Sequence, residues 1–123
     1  MNFTKGASIY EQIVEHILEQ VVSGSWSAED RISSVREMAV KLGVNPNTVQ
    51  RAYAMLQEME ILENRRGVGY FIHAGAEGAA KQRLREEFTR EALPWISSRL
   101  KLLEIEPEEF TGMLRRELTD GAS

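Results

Sequence analysis

The run Leu42-Gly43-Val44-Asn45-Pro46 constrains the fold more than any other stretch of the chain. Glycine takes the left-handed conformation that stops a helix without a Cβ clash. Asparagine then caps a new helix through its side-chain oxygen, and proline belongs at the first helical position, where its missing N–H costs nothing. Upstream, Ser34-Val35-Arg36-Glu37 fits a reciprocal capping box, with the Ser hydroxyl on the Glu amide and the Glu carboxylate reaching back. Val35, Met38, Ala39 and Leu42 follow at i, i+3, i+4 and i+7. Two helices over 34–42 and 46–59, joined by a tight glycine turn, make a helix-turn-helix.

The second helix has two distinct faces. Val49, Ala52, Tyr53 and Leu56 form its apolar stripe, and Asn47, Gln50, Arg51 and Ala54 share another face at i, i+3, i+4, i+7. Asn and Gln suit adenine edges, Arg suits guanine or phosphate, and a small Ala permits close approach or meets a thymine methyl. Next come two short runs rich in strand formers, Ile61-Leu62-Glu63-Asn64 and Tyr70-Phe71-Ile72, separated by Arg65-Arg66-Gly67-Val68-Gly69. That is a hairpin whose tip carries two arginines, a composition that favours phosphates and narrow minor grooves.

Ahead of the motif, paired apolar residues from Ile9 to Val22 predict a helix with one broad buried stripe, ended by Gly24. Residues 25–33 have no sustained period and read as a loop, with Trp26 and Ile32 pinned to the core. After the hairpin, the small-residue run 74–80 reads as a linker. A helix then carries Leu84, Phe88, Ala92, Trp95 and Ile96 on one side, with a kink or division at Pro94. Pro107 opens a last helix with Phe110, Met113, Leu114 and Leu118. Two such helices cannot enclose a core of their own, so Leu84, Phe88, Trp95, Ile96, Phe110 and Leu114 are expected at the contact of a homodimer, or on the first domain. The expected fold is mainly α with a small β-hairpin: a winged helix-turn-helix over 1–75 and a two-helix dimerisation tail over 76–123.

Charge sharpens the functional question. The 123 residues carry a formal charge of -4, and neither half is basic, which counts mildly against nucleic acid as a partner. Locally the sign reverses, because Arg31, Arg36, Lys41 and Arg51 face only Glu37 between residues 31 and 53. Zero cysteines exclude disulfide scaffolds, thiolate zinc sites and cysteine nucleophiles. No apolar run approaches the roughly 20 residues of a membrane span, and the N-terminus lacks signal-peptide order, so a cytoplasmic protein is expected. The sequon Asn2-Phe3-Thr4 has no meaning without secretion.

The runs SVREMAVKLGVNPNTVQRAY and RRGVGYFI, with IYEQI upstream, resemble the GntR family of bacterial winged-helix transcription regulators. The short helical tail resembles the YtrA-like branch. The match is close over residues 8–73 and extends to the tail only in length and helical pattern. This resemblance implies a dimer on a palindromic operator, often repressing its own operon, with transporter genes frequent neighbours. Carried onto matching positions, it implies that Arg36 contacts phosphate or a base. It makes Asn45, Asn47, Thr48, Gln50 and Arg51 the recognition surface, and sets Arg66 and Gly67 at the wing tip against the minor groove, with Arg65 nearby. The family usually has Gly-Asp where Glu29-Asp30 stand, and proline at the position of Ser33. Those departures bear on the loop that aims Arg36.

Two other classes compete with this reading. An enzyme finds little material: His16 and His73 lack local partners at metal spacing, Gly67-Val68-Gly69 is only a fragment of a phosphate loop, and no cofactor or metal is expected. A winged-helix protein-interaction module without DNA is the serious alternative, supported by the acidic balance. Such reuse gives no reason for Asn47, Gln50, Arg51 and Arg66 to be exposed together. A small-molecule effector is left open and unidentified, the tail being too short for the separate effector domain of larger relatives.

Overall fold

Side-chain caps set the helix starts in the first part of the chain. In the computed structural model, which describes residues 7–121, α1 (Ile9–Val22) and α2 (Val35–Leu42) each begin with a complete capping box, Ser8 with Glu11 and Ser34 with Glu37. The Asn2-Phe3-Thr4 sequon lies outside the described residues. Gly43 ends α2 at φ 66°, ψ 38°, and the Val44 N–H returns to the Ala39 carbonyl at 3.0 Å, the hydrogen bond that characterises a Schellman turn. α3 (Pro46–Glu58) starts two residues later, with Asn45 as its cap.

The chain divides into two compact units between residues 86 and 87. In the first, α3 packs against both α1 and α2, and its stripe Val49, Ala52, Tyr53 and Leu56 is fully buried. Ile17 and Leu18 of α1, Ile61, and Ile72 complete the centre of this core. Leu42, expected on the α2 stripe, stays 42% exposed at the turn where Gly43 redirects the chain.

A three-stranded antiparallel sheet closes one side, in the order β1 (Arg31–Ile32), β3 (Gly69–Ile72), β2 (Leu62–Arg65). The short β1, read from sequence as loop, exists because β3 offers a free edge: Arg31 opposes Phe71 and Ile32 opposes Tyr70. Ile32 points inward and is buried, and Trp26 is packed partly against the same core. β2 and β3 form the predicted hairpin, with Arg65 opposite Gly69. Its turn is closed by the Val68 N–H on the Arg65 carbonyl at 2.8 Å, with Gly67 at φ 77° in the third position, where type II turns require a positive angle. Gly69 also has a positive angle, φ 143°, and a Cβ there would in addition lie 2.9 Å from Nε of the Arg31 side chain.

Residues 76–80, predicted as linker, are the first turns of a helix, α4 (Ala76–Glu87). Alanine is the best helix former, and Ala76 and Ala80, four apart, bury against the core with Leu84 partly covered on the same side. Leu84, expected at a dimer contact or on the first domain, is partly covered by the core of its own chain.

The second unit continues through one π-helical turn (Phe88–Ala92) into α5 (Leu93–Leu102). In that turn the Leu93 N–H reaches back five residues to the Phe88 carbonyl, immediately before Pro94. The disturbance expected at Pro94 thus takes the form of a π-turn that keeps the chain helical up to a residue that cannot donate. α6 (Pro107–Asp120) follows. Neither α5 nor α6 contains a fully buried residue, and Phe88, Leu102, Leu103 and Leu118 are more than half exposed.

Candidate nucleic-acid interface

α3 owes its orientation to Tyr53. Its ring is fully buried edge-on against Tyr70, with centroids 4.8 Å apart, and its hydroxyl donates to the Ser33 carbonyl at 2.7 Å. Burial, with the neighbouring Tyr70, pushes the phenol well above its ordinary value, so the hydroxyl stays a donor. Ser33 is held a second time, its hydroxyl accepting from Lys41 at 2.7 Å. The segment that enters α2 is thus tied to α3 at the position where proline was expected from the family resemblance.

With the buried stripe locked, Asn47, Gln50, Arg51 and Ala54 are all exposed, as their spacing predicts. Asn45 spends its Oδ1 on the Asn47 N–H at 2.8 Å, which leaves its amide nitrogen for external contact. Thr48 is half-buried on the first turn, and Arg36 is exposed on α2. Among the described residues, the side chains of Arg36, Asn47, Gln50 and Arg66 have no hydrogen-bond or ion-pair partner.

The other two arginines are engaged. The Arg51 guanidinium lies over the ring of Tyr10 in α1, 4.0 Å from its centroid. Arg65 pairs with Glu29, approaches Glu63 through Nε at 3.4 Å, and stacks on Phe71 at 4.0 Å. Its hydrogen bonds to Glu29 and Glu63 raise its pKa further. Tyr10, Glu29, Arg31, Ser33 and Phe71 were not singled out from sequence as parts of this surface. Glu29 and Ser33 left a sequence signal, by standing where glycine and proline are usual in the family that the chain resembles, and the Glu29 backbone is in fact left-handed at φ 72°.

Carboxylates here serve structure. Glu37 lies below its ordinary value because the Ser34 backbone and side chain hydrogen-bond to it, and Glu11 does so through Ser8. His73 uses its ring Nδ1 to accept the Gly75 N–H at 3.1 Å just before α4, and His16 is exposed. Among the described residues no group of acidic, histidine or cysteine side chains could hold a metal ion, and no helix is long and apolar enough to cross a membrane.

Comparison with known proteins agrees with this geometry. The sequence profile of the bacterial regulatory proteins of the gntR family matches residues 9–72. YhcF of Bacillus subtilis, described as an uncharacterized HTH-type transcriptional regulator, is 38% identical over 108 residues, which is 88% of each chain. YtrA of the same organism, described as an HTH-type transcriptional repressor, is 41% identical over 68 residues, covering 55% of this chain and 52% of that one. The chain thus aligns with about half the length of YtrA. Among solved structures, a GntR family transcriptional regulator from Listeria monocytogenes superposes with a TM-score of 0.75 at 35% identity, over 89% of this chain and 95% of the other.

Proposed function

The chain belongs to the GntR family of bacterial regulatory proteins, which are DNA-binding transcription regulators and not enzymes, and from that premise we propose a homodimeric repressor of a palindromic operator. Each subunit lays α3 into the major groove, where Asn47, Thr48, Gln50 and Arg51 meet base edges and Arg36 and Asn45 steady the helix on the backbone. The wing follows into the adjoining minor groove through Arg66 and Gly67, with Arg65 at its base.

The observation that carries this reading is the set of exposed side chains on α2, α3 and the wing, Arg36, Asn47, Gln50 and Arg66, that find no partner among the described residues. Polar groups left unsatisfied by the fold suit an external surface rich in donors, acceptors and phosphates. The description of YtrA as a repressor supports repression here. The regulated unit is taken to be the protein's own operon, transporter genes included, and the site of action the cytoplasm.

Dimerisation makes such a module specific, because two half-sites joined at fixed separation convert the second binding event into an intramolecular one. The tail is the place for it. Phe88, Trp95, Ile96, Phe110 and Leu114 are all exposed or only half-covered in one chain, and α5 and α6 leave between them an apolar groove of about 630 Å³. Covering the apolar surface that these side chains still expose works against the cost of association.

Selection of bound sequences from a random duplex pool tests binding, symmetry and spacing together. Inverted repeats with half-sites about one helical turn apart are the expected product. Recovery of no inverted repeat at low ionic strength would overturn the proposal and leave the protein-interaction reading in its place.

A further inference from the structure

Two adjacent arginines stand at the wing, and their surroundings differ completely. Arg66 is exposed and has no partner among the described residues, whereas Arg65 is only partly exposed and is held from three sides. Glu63 and Arg65 point to the same face of β2, as residues two apart on a strand do, and Glu63 stands opposite Phe71. The Phe71 ring therefore lies diagonally beneath Arg65, with the guanidinium carbon 4.0 Å from its centroid.

The third restraint, Glu29, comes from 36 residues away. Its N–H donates to the Ile72 carbonyl at 2.8 Å, and the Ile72 N–H returns to Asp30 at 2.8 Å, so its backbone is fastened to the end of β3. At φ 72° it occupies a conformation that side chains rarely adopt, and its carboxylate meets Nη2 of Arg65. The pair thus ties the segment ahead of β1 to β2, across β3.

An exposed ion pair is by itself a weak restraint. Here a planar guanidinium is fixed by one carboxylate at Nη2, another at Nε and a ring below, so its direction as well as its charge is committed. To reach phosphate, Arg65 has to leave two carboxylates, while Arg66 leaves nothing.

We propose that Glu29 is a positioning residue for DNA recognition: it withholds Arg65 from the nucleic acid and braces the wing, so that Arg66 supplies the wing's phosphate contact. This rests on the operator-binding reading above. Glu29 acts through Arg65 and touches no DNA itself.

Affinity for mixed-sequence duplex DNA, measured across a salt series, separates the two arginines, because every phosphate deprived of its protein cation reduces the slope of log K on log salt by about one. Arg66→Gln is expected to reduce the slope by about one, and Arg65→Gln to leave it unchanged. Glu29→Gly suits the backbone angle and removes the clamp, and it is expected to steepen the slope by about one as Arg65 reaches phosphate. Glu29→Gln, which keeps the side-chain length and removes the charge, is expected to move it in the same direction. In the DNA-free protein, amide exchange at residues 66–68 should speed up in Glu29→Gly and in Arg65→Gln alike. Equal reductions in slope for Arg65→Gln and Arg66→Gln overturn the proposal, as do parental slope and parental exchange in Glu29→Gly. If the parent protein shows no salt-dependent binding at all, the operator reading falls instead, and wing exchange rates still decide whether the clamp exists.

Discussion

The Arg51 guanidinium rests on the ring of Tyr10, 4.0 Å from its centroid, so a residue of the recognition helix is held by a residue of α1 that has no place in the helix-turn-helix itself. An exposed cation over the face of such a partly buried ring gains about 0.5–1 kcal/mol, which restricts a long side chain before DNA arrives.

Arg51→Ala should therefore weaken operator binding by about 1–3 kcal/mol, the range for removing one bidentate pair of hydrogen bonds to a base, and relax selection at one base pair. Tyr10→Leu should relax the same base pair by a smaller amount. The double variant should be no worse than Arg51→Ala, since both changes act through one interaction. Additive effects in competition assays would show that the stacking does not prepare Arg51 for the base.

Tyr53→Phe removes the hydroxyl that donates to the Ser33 carbonyl and leaves the ring packing against Tyr70 in place. A loss of about 1 kcal/mol in unfolding free energy is expected, with a matching weakening of operator binding through the segment that aims Arg36. Denaturant titration measures the first and operator titration the second. Unchanged stability would mean that water replaces the missing donor at no cost.

Acid should loosen α2 in a defined direction. Hydrogen bonds from Ser34 hold the Glu37 carboxyl below its ordinary value of 4.5 in the folded chain. The stability this contributes is present above the unfolded value and is lost as pH falls through the folded one. In melting experiments the advantage of the parent over Glu37→Gln should be full at neutral pH and close steadily below 4.5. A gap that stays constant into acid would show that the ionised carboxylate is not what matters. Ser34→Ala, which removes the cap itself, should cost about 1 kcal/mol at neutral pH.

Leu114→Asp and Trp95→Asp place a charge on the half-covered faces of α6 and α5. Both should shift sedimentation from dimer to monomer and lower operator affinity by at least tenfold, in line with a buried, unpaired charge and the uncoupling of linked half-sites. A variant that remains dimeric would place the interface elsewhere on the chain.

Much of this molecule is legible without coordinates, because its helix-turn-helix is specified by short-range chemistry. Ser34 reaches Glu37, Gly43 turns left-handed, Asn45 caps Asn47, and each of these interactions closes within a few residues. The buried stripe of α3 and its exposed face then follow from helical periodicity. Tertiary structure decided what depends on distant partners. β1 is a strand only because β3 lies beside it, and Ala76 and Ala80 belong to a helix because the core accepts two small side chains one turn apart. The same holds for the arginines: sequence placed Arg51, Arg65 and Arg66 on the surface, but which of them is already occupied depends on Tyr10, Glu29, Glu63 and Phe71. A charged side chain takes the nearest suitable partner in space, and for Arg51 and Arg65 the deciding neighbours arrive from 41 and 36 residues away.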